Sequence, residues 1–202
     1  MSSPTLLSSK DLSHLKDVVS LGFDNAAQGL STMVDKTIRV TSPSLKVVPI
    51  ERASGFIGEP EQEVYAVYLA ITGEVGGHIL LILSLEAAEE MVGMLMGPRE
   101  VETPELDMVE RSALGEVANV TGSFFMRALS DSTSLDIRPS PPSVVMDMAG
   151  AVLDGPLLSL AMTMEEVLVI DTWFTDEERH IGGLFLVLPD ASSLRLIAER
   201  LN

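Results

Sequence analysis

The chain lacks cysteine and has few histidines and no long apolar run. With no cysteine in 202 residues, disulfide scaffolds, thiolate metal sites and cysteine nucleophiles are excluded. Its three histidines are scattered without ligand-like spacing, so we predict no metal site. Apolar runs such as residues 79–83 are too short to cross a bilayer, and the N-terminus has no signal-peptide pattern. We therefore predict a cytoplasmic protein without direct membrane insertion.

Basic residues are also scarce. The chain has 13 Lys and Arg and 30 Asp and Glu, which gives a formal net charge of −17 at pH 7. The chain is nevertheless 46% hydrophobic with a mean hydropathy of +0.30, enough for an ordinary core beneath an acidic surface. Such a surface repels phosphate backbones, so we expect no nucleic acid partner, and it favours a monomer that binds another protein. The charge balance also motivates the hypothesis of a salt-loving source.

The two halves of the sequence repeat one another. Aligned pairs share one offset of 99 residues: Asp17 with Glu116, Leu30 with Leu129, Ile38 with Ile137 and Pro43 with Pro142. Farther along, residues 77–84 align with residues 182–189 at an offset of 105. Because internal repeats report a duplicated structural unit, this register constrains the fold more strongly than local propensity does.

Each half predicts a helix, a strand, a hairpin and a closing helix. The predicted bounds are 8–34, 37–50, 64–83 and 85–96, then 104–130, 135–147, 156–188 and 190–201. We predict an α/β fold of the α+β type with internal pseudo-twofold symmetry, in which all strands form one sheet and the long helices lie exposed side by side. The chain would be one domain, with repeats at about 8–97 and 103–202.

The second long helix carries the most informative pattern. Thr103, Pro104 and Glu105 predict its start. Its predicted buried stripe recurs at three- and four-residue spacing and comprises Leu106, Val109, Ala113, Val117, Val120 and Phe124. Beside the stripe, at about 100° per residue, four polar side chains fall within roughly 60° of one another. This α3 ridge comprises Ser112, Glu116, Asn119 and Ser123.

The first long helix has an equivalent ridge without an amide. This α1 ridge comprises Ser13, Asp17, Ser20 and Asp24, so only the second ridge pairs an acid with an amide. From these residues alone, the simpler interpretation is the solvated face of an amphipathic helix.

Three other patterns have structural interpretations. The glycine-rich residues 72–77 lie between two strand-like runs and lack the Lys-Ser/Thr of a phosphate loop, so they predict a hairpin turn. Met91, Met94 and Met96 favour core packing, with an adaptable binding face as the alternative. The acidic runs 86–90 and 176–178 predict solvated faces.

The pattern Ser112-x-x-x-Glu116-x-x-Asn119 resembles the signature of the CheC, CheX and FliY phosphatases of bacterial and archaeal chemotaxis. The resemblance is closest to CheC. It continues in order and spacing through residues 147–152 and 186–190. It implies hydrolysis of the aspartyl phosphate on the response regulator CheY, with Asn119 orienting the attacking water, Glu116 pairing with the regulator's lysine and Ser112 in support. Mg²⁺ would come with the phosphorylated regulator, and the chain itself would need no cofactor.

The first helix departs from this signature. Asp17 is one methylene shorter than Glu and Ser20 lacks an amide, so we predict a degenerate second site and one competent site. Asp147 occupies the place of a carboxylate that, in CheC proteins, binds the receptor deamidase CheD, although a strand-end or capping role is the plainer interpretation. The alternative function is therefore a weakly catalytic or non-catalytic protein that sequesters CheD or phosphorylated CheY. A flagellar-switch role like that of FliY is a third possibility.

Overall fold

The structure is a computed structural model that describes residues 7–49, 52–98, 105–153 and 166–201. Its helices include α1 Ser9–Val34, α2 Leu85–Met96, α3 Met108–Thr133 and α4 Ala191–Leu201, and residues 149–153 are also helical. Its strands are β1 Arg39–Pro49, β2 Glu63–Gly73, β3 Gly77–Ser84, β4 Ile137–Pro139, β5 Ser143–Met148, β6 Glu166–Thr175 and β7 His180–Pro189. Within these ranges no helix is long and apolar enough to cross a membrane.

The strands form one seven-stranded antiparallel sheet. Its order is β1-β6-β7-β3-β2-β4, with β5 also paired to β2, so the hairpins of the two halves meet where β7 pairs with β3. The first strand of each half lies at an outer edge and pairs there with the hairpin of the other half: β1 pairs with β6, and β4 and β5 pair with β2. This arrangement confirms the predicted α/β fold, in which a duplicated unit contributes to a common sheet.

The duplication is sharpest in the two long helices. Both α1 and α3 contain 26 residues, and both their ends differ by 99 positions. Ser8 and Asp11 form a capping box at the start of α1, which satisfies backbone donors that the helix leaves open. The two helices end alike, because Asp35 and Ser134 both adopt the left-handed conformation at the C-cap.

The predicted start of α3 is wrong. The helix begins at Met108, where Asp107 caps it and Glu110 completes a capping box. Residues 105–107 are not helical, and Thr103 and Pro104 lie outside the described residues. A capping hydroxyl followed by proline favours a helix start, but the box at Asp107 satisfies two backbone donors reciprocally.

The second-half strand differs from the single strand predicted over 135–147. It is divided into β4 and β5 by residues 140–142, which include two consecutive prolines that have no backbone N–H to donate. The equivalent place in β1 also departs from regular pairing, because its register with β6 shifts between Thr41 and Ser44. The predicted hairpin over 156–188 is observed from residue 166 onward, and its beginning lies outside the described residues.

The helices and the sheet share a core centred on three phenylalanines. Phe185 of β7 packs edge-on against Phe23 of α1 and Phe125 of α3, with ring centroids 5.5 and 5.8 Å apart. All three side chains are buried. On the opposite face of the sheet, the Tyr68 hydroxyl donates a hydrogen bond to the carbonyl oxygen of Val152. The part of the sheet near β2 is therefore also contacted on the face opposite the long helices.

The buried face of α3 is rotated about the helix axis relative to the predicted buried stripe. Val109 is 61% exposed, whereas Val120 and Phe124 are half-buried against Gly29 of α1. Leu106 is buried but precedes the helix. The most deeply buried side chains of α3 are Leu114, Val117, Ala118, Thr121, Phe125, Met126 and Ala128. Because α3 packs against both α1 and the sheet, its buried arc is wider than the predicted stripe and is centred on these residues.

The predicted turn at residues 72–77 is confirmed as the β2–β3 hairpin connection. Gly73 has a φ of +111°, and a Cβ there would overlap the carbonyl oxygen of Asp136. That oxygen accepts a hydrogen bond from Glu74 N at 2.8 Å. Glycine is therefore required both for the backbone conformation and for the close approach of the second half of the chain.

Asp176 contradicts the solvated face predicted for residues 176–178. Its side chain is only 6% exposed and accepts hydrogen bonds from the backbone N–H groups of Glu178 at 2.8 Å and Arg179 at 2.7 Å. Burial opposes ionisation, but these donors and the Arg179 guanidinium outweigh it and hold the pKa of Asp176 below its ordinary value. This carboxylate therefore organises the β6–β7 turn.

Candidate functional site

The start of α3 is fixed to the sheet beneath it. The hydroxyl oxygen of Tyr65 accepts a hydrogen bond from Leu106 N at 2.7 Å, and Tyr65 is fully buried in β2. Arg111 Nε donates to the carbonyl oxygen of Leu106 at 2.9 Å, and its guanidinium lies 5.9 Å from the Tyr65 ring centroid. These contacts set the position of the helical turn that precedes Glu116.

Glu116 is held on a closely packed part of α3. A Cβ at the neighbouring Gly115 would lie 3.3 Å from Val144 Cγ2 and 3.5 Å from Pro142 Cγ, so α3 approaches β5 closely there. Val117, on the other side of Glu116, is fully buried. The backbone that carries Glu116 is therefore anchored while its side chain is exposed.

The α3 ridge is accessible from solvent. Ser112 and Glu116 are exposed, and Asn119 and Ser123 are half-buried. Asn119 Nδ2 lies 3.5 Å from Glu116 Oε2, at the outer limit of a hydrogen bond, so this contact is weak. In the part of the chain that the structure describes, no basic side chain forms an ion pair with Glu116. An acid and an amide thus lie together on one face, both free to contact another molecule.

The α1 ridge is exposed too, but the structure does not bring it to the same place. Asp17 and Ser20 both face solvent. Gly22 meets the backbone of Phe125 and Gly29 meets the side chains of Phe124 and Val120, so the long helices run antiparallel and cross near Gly22. Asp17 is five residues from this crossing in one direction and Glu116 is nine in the other. At 1.5 Å per residue they are roughly 20 Å apart, so the two ridges form separate sites.

A hollow of about 360 Å³ adjoins the α3 ridge, and we call it the α3 hollow. It is lined by Met33, Val34, Leu95, Met96, Val109, Ser112, Ala113 and Glu116. The structure thus places the ends of α1 and α2 beside the candidate acid. The sequence prediction did not include Met33 in the site. The signal that could have found it is its alignment with Ser132 at the offset of 99, because a methionine in one half replaces a serine in the other.

The three methionines of α2 divide between two roles. Met91 and Met94 are buried in the core, whereas Met96 is exposed and lines the α3 hollow. The favoured prediction of core packing is confirmed for Met91 and Met94. Met96 instead follows the alternative of an accessible methionine.

A second hollow of about 380 Å³, the α1 hollow, adjoins the α1 ridge. It is lined by His14, Asp17, Val18, Leu21, Ser132 and Leu201. Each ridge therefore has a hollow formed by the start of its own helix, the end of the other long helix and the end of a closing helix. The pseudosymmetry of the fold extends to these surfaces.

Asp147 lies away from the α3 ridge. It is exposed on β5 and pairs with Val64 of β2. Val144 of the same strand faces α3. Because successive side chains of a strand point to opposite faces and Asp147 lies three residues after Val144, Asp147 points to the other face. Burial, and secondly the charge of Asp147, raise the pKa of Tyr68 to about 12. Asp147 is therefore on the opposite face of the sheet, and the structure does not unite it with Glu116 and Asn119.

Comparisons with known proteins agree with this geometry. The sequence model of the CheC-like family matches residues 109–146, which include the α3 ridge. The chain is 27% identical over 183 residues to the CheY-P phosphatase CheC of Bacillus subtilis, covering 89% of this chain and 88% of that protein. The crystal structure of Thermotoga maritima FliY superposes with a TM-score of 0.77 at 21% identity, covering 98% of each chain. A chain from the CheX–CheY–BeF3–Mg+2 complex of Borrelia burgdorferi gives 0.53 at 15% identity, covering 86% of this chain and 98% of that one.

The fold and the ridge define an internally duplicated α/β protein with one acid–amide face on a long exposed helix. Solved FliY and CheX structures share its fold. The family model's match and the identity to CheC over most of the chain show that this protein is similar to the CheC-like family. The resemblance stated from the sequence is thereby confirmed.

Proposed function

We propose that this chain hydrolyses the aspartyl phosphate of the response regulator CheY. The observation that carries the proposal is the exposed pair Glu116 and Asn119, held on the anchored part of α3 without a cation partner among the described residues. The proposal is supported by the similar CheC protein, which is named a CheY-P phosphatase. It is also supported by a structure of the same fold that was determined in a complex containing CheY.

Asn119 orients the attacking water. Hydrolysis of a phosphoryl group requires a water in line with the bond that breaks, and holding reactants in position lowers the barrier by several kcal/mol. A side-chain amide donates and accepts hydrogen bonds at once, so it fixes both the place and the orientation of a water. The 3.5 Å contact to Glu116 is weak enough to be exchanged for the water when the regulator docks.

Glu116 binds the regulator's lysine. It lies three residues before Asn119 on the same face of the helix, so an ion pair to the regulator fixes Asn119 relative to the phosphoryl group. Ser112, one turn farther, supports the contact with a hydroxyl. The Mg²⁺ that neutralises the phosphoryl oxygens comes with the regulator, and this chain contributes no cofactor.

The α1 ridge does not provide a second competent site. A serine hydroxyl on one carbon, as at Ser20, does not reach where the Asn119 amide reaches. Asp17 is shorter than Glu116 by one methylene, which weakens an ion pair that depends on reach. The chain therefore carries one working site and a degenerate twin roughly 20 Å away.

The test is phosphate release from phosphorylated CheY in Mg²⁺. Asn119→Ala should lower kcat by about a hundredfold, because the water loses its orientation. Glu116→Ala should mainly raise KM, because the helix loses its anchor to the regulator. Ser20→Ala is the matched control at the twin position and should leave both constants unchanged. Failure of wild type to accelerate phosphate release would contradict the proposal.

We also propose a binding role toward the receptor deamidase CheD, with Asp147 as the contact. The supporting observation is its exposure on β5, on the face of the sheet opposite α3. A partner docked there would leave the α3 ridge open. If the α3 ridge proves inactive, this role becomes the alternative function, in which the chain sequesters CheD or phosphorylated CheY.

A further inference from the structure

Exposed apolar side chains concentrate around the α3 hollow. In the described part of the chain, seven large hydrophobic side chains are exposed. Four of them, each between 43% and 86% exposed, belong to this neighbourhood: Met33, Met96, Met108 and Val109. Three of these line the hollow itself, and Met108 is the first residue of α3. Clustered apolar exposure of this kind marks a contact surface.

The α1 hollow lacks the two methionines of the α3 hollow, although Leu21 and Leu201 keep part of it apolar. At the offset of 99, Met33 corresponds to Ser132 and Val109 to Lys10. Ala113 likewise corresponds to His14. Since the two hollows are built from equivalent elements, the difference is a property of their side chains. Two accessible methionines therefore lie beside Glu116, whereas His14 and Ser132 lie with Leu21 and Leu201 beside Asp17.

The α3 hollow is continuous with the candidate site. Ser112 and Glu116 belong both to the ridge and to the lining of the hollow, and among the described residues of that lining Glu116 alone is charged. An occupant must therefore offer an apolar surface with a cation beside it. A second copy of this chain is a poor occupant, because its formal charge is −17 and like charges repel.

We propose that the α3 hollow receives an apolar segment of the phosphorylated response regulator, next to the lysine that Glu116 binds. This inference rests on the proposed function, since the same regulator must occupy the ridge. Met33 and Met96 supply the contact: unbranched methionine side chains adapt to a partner's shape and bury apolar surface on docking. The hollow thus selects the substrate protein, while Asn119 acts on its phosphoryl group.

The experiment uses neutral substitutions, so that the charge of the surface is unchanged. The double variant Met33→Gln with Met96→Gln is compared with wild type for binding to CheY charged with beryllofluoride and Mg²⁺, and for turnover of phosphorylated CheY. We expect Kd and KM to rise about tenfold in the double variant, with kcat within about twofold of wild type. Leu21→Gln, in the α1 hollow, is the matched control and should change neither constant.

The outcomes separate this inference from the proposed function. If wild type dephosphorylates CheY and the double variant binds and turns over normally, the hollow is not a docking surface and the proposed function stands. An equal loss in Leu21→Gln would also overturn the inference, because the effect would not be specific to the α3 hollow. If wild type shows no turnover, the proposed function is contradicted, and the inference that rests on it is contradicted with it. Circular dichroism and thermal melts verify that each variant is folded.

Discussion

The close contact between α1 and α3 makes a quantitative prediction at Gly22. A Cβ on Gly22 would lie 2.8 Å from Phe125 Cα and 3.3 Å from the carbonyl oxygen of Phe124. These are main-chain atoms of another helix, so a change of side-chain rotamer cannot relieve the overlap. Gly22→Ala must therefore push apart the two helices that carry the ridges.

Two opposing effects determine how much Gly22→Ala changes the free energy of unfolding. Alanine is favoured over glycine inside a helix by about 1 kcal/mol, whereas overpacking a core costs about 1–3 kcal/mol. Because the contact is with backbone, we place the cost at the upper end and expect Gly22→Ala to lower the free energy of unfolding by about 2 kcal/mol. For a chain of 202 residues this corresponds to a fall in Tm of about 4–8 °C.

Gly93 is the matched control. It lies inside α2, and the nearest atom to a Cβ there is Arg179 Nη2 at 3.9 Å, so Gly93→Ala should stabilise the protein by about 0.5–1 kcal/mol. Urea unfolding followed by circular dichroism measures both variants. A Gly22→Ala variant as stable as wild type would refute the reasoning about the helix contact.

Three further predictions concern the surface and the charges. Asp147→Lys should abolish CheD binding in a titration calorimetry assay without changing turnover, whereas Asn119→Ala should do the reverse; loss of both properties in both variants would contradict separate sites. Asp176 has a folded pKa below its ordinary value of 3.8, so its stabilisation is full above that value and is lost as pH falls through the lower folded value. Asp176→Asn should therefore weaken the acid dependence of urea unfolding below about pH 5, and an unchanged dependence would contradict this role. Finally, if the acidic surface reflects a salt-loving source, KCl should raise Tm by screening repulsion, and a Tm unaffected by KCl would refute that hypothesis.

The duplicated architecture could be predicted because its signals are local and occur twice. The same capping logic, helix length and register recur 99 residues apart, and amphipathic spacing placed Glu116 and Asn119 on one exposed face. The proposed roles of these residues, the single competent site, the absence of a cofactor, the CheD contact and the cytoplasmic location remain predictions.

Other features depend on packing that one sequence does not reveal. The buried arc of α3 is set jointly by α1 and the sheet, so periodicity alone placed Val109 inside although it is exposed. Asp176 is turned inward by backbone donors of its own turn, which composition does not show. Met33 and Met96 come together only because the ends of α1 and α2 meet beside α3.

The most direct test of the central claim is a comparison of phosphate release from phosphorylated CheY by wild type, Asn119→Ala, and the double variant Asp17→Glu with Ser20→Asn. We predict that Asn119→Ala loses about a hundredfold in kcat. The double variant should exceed wild type, because it rebuilds the acid–amide pair on α1, but its new site should have the higher KM because its hollow lacks the methionines of the α3 hollow. Wild-type turnover in Asn119→Ala would contradict the account.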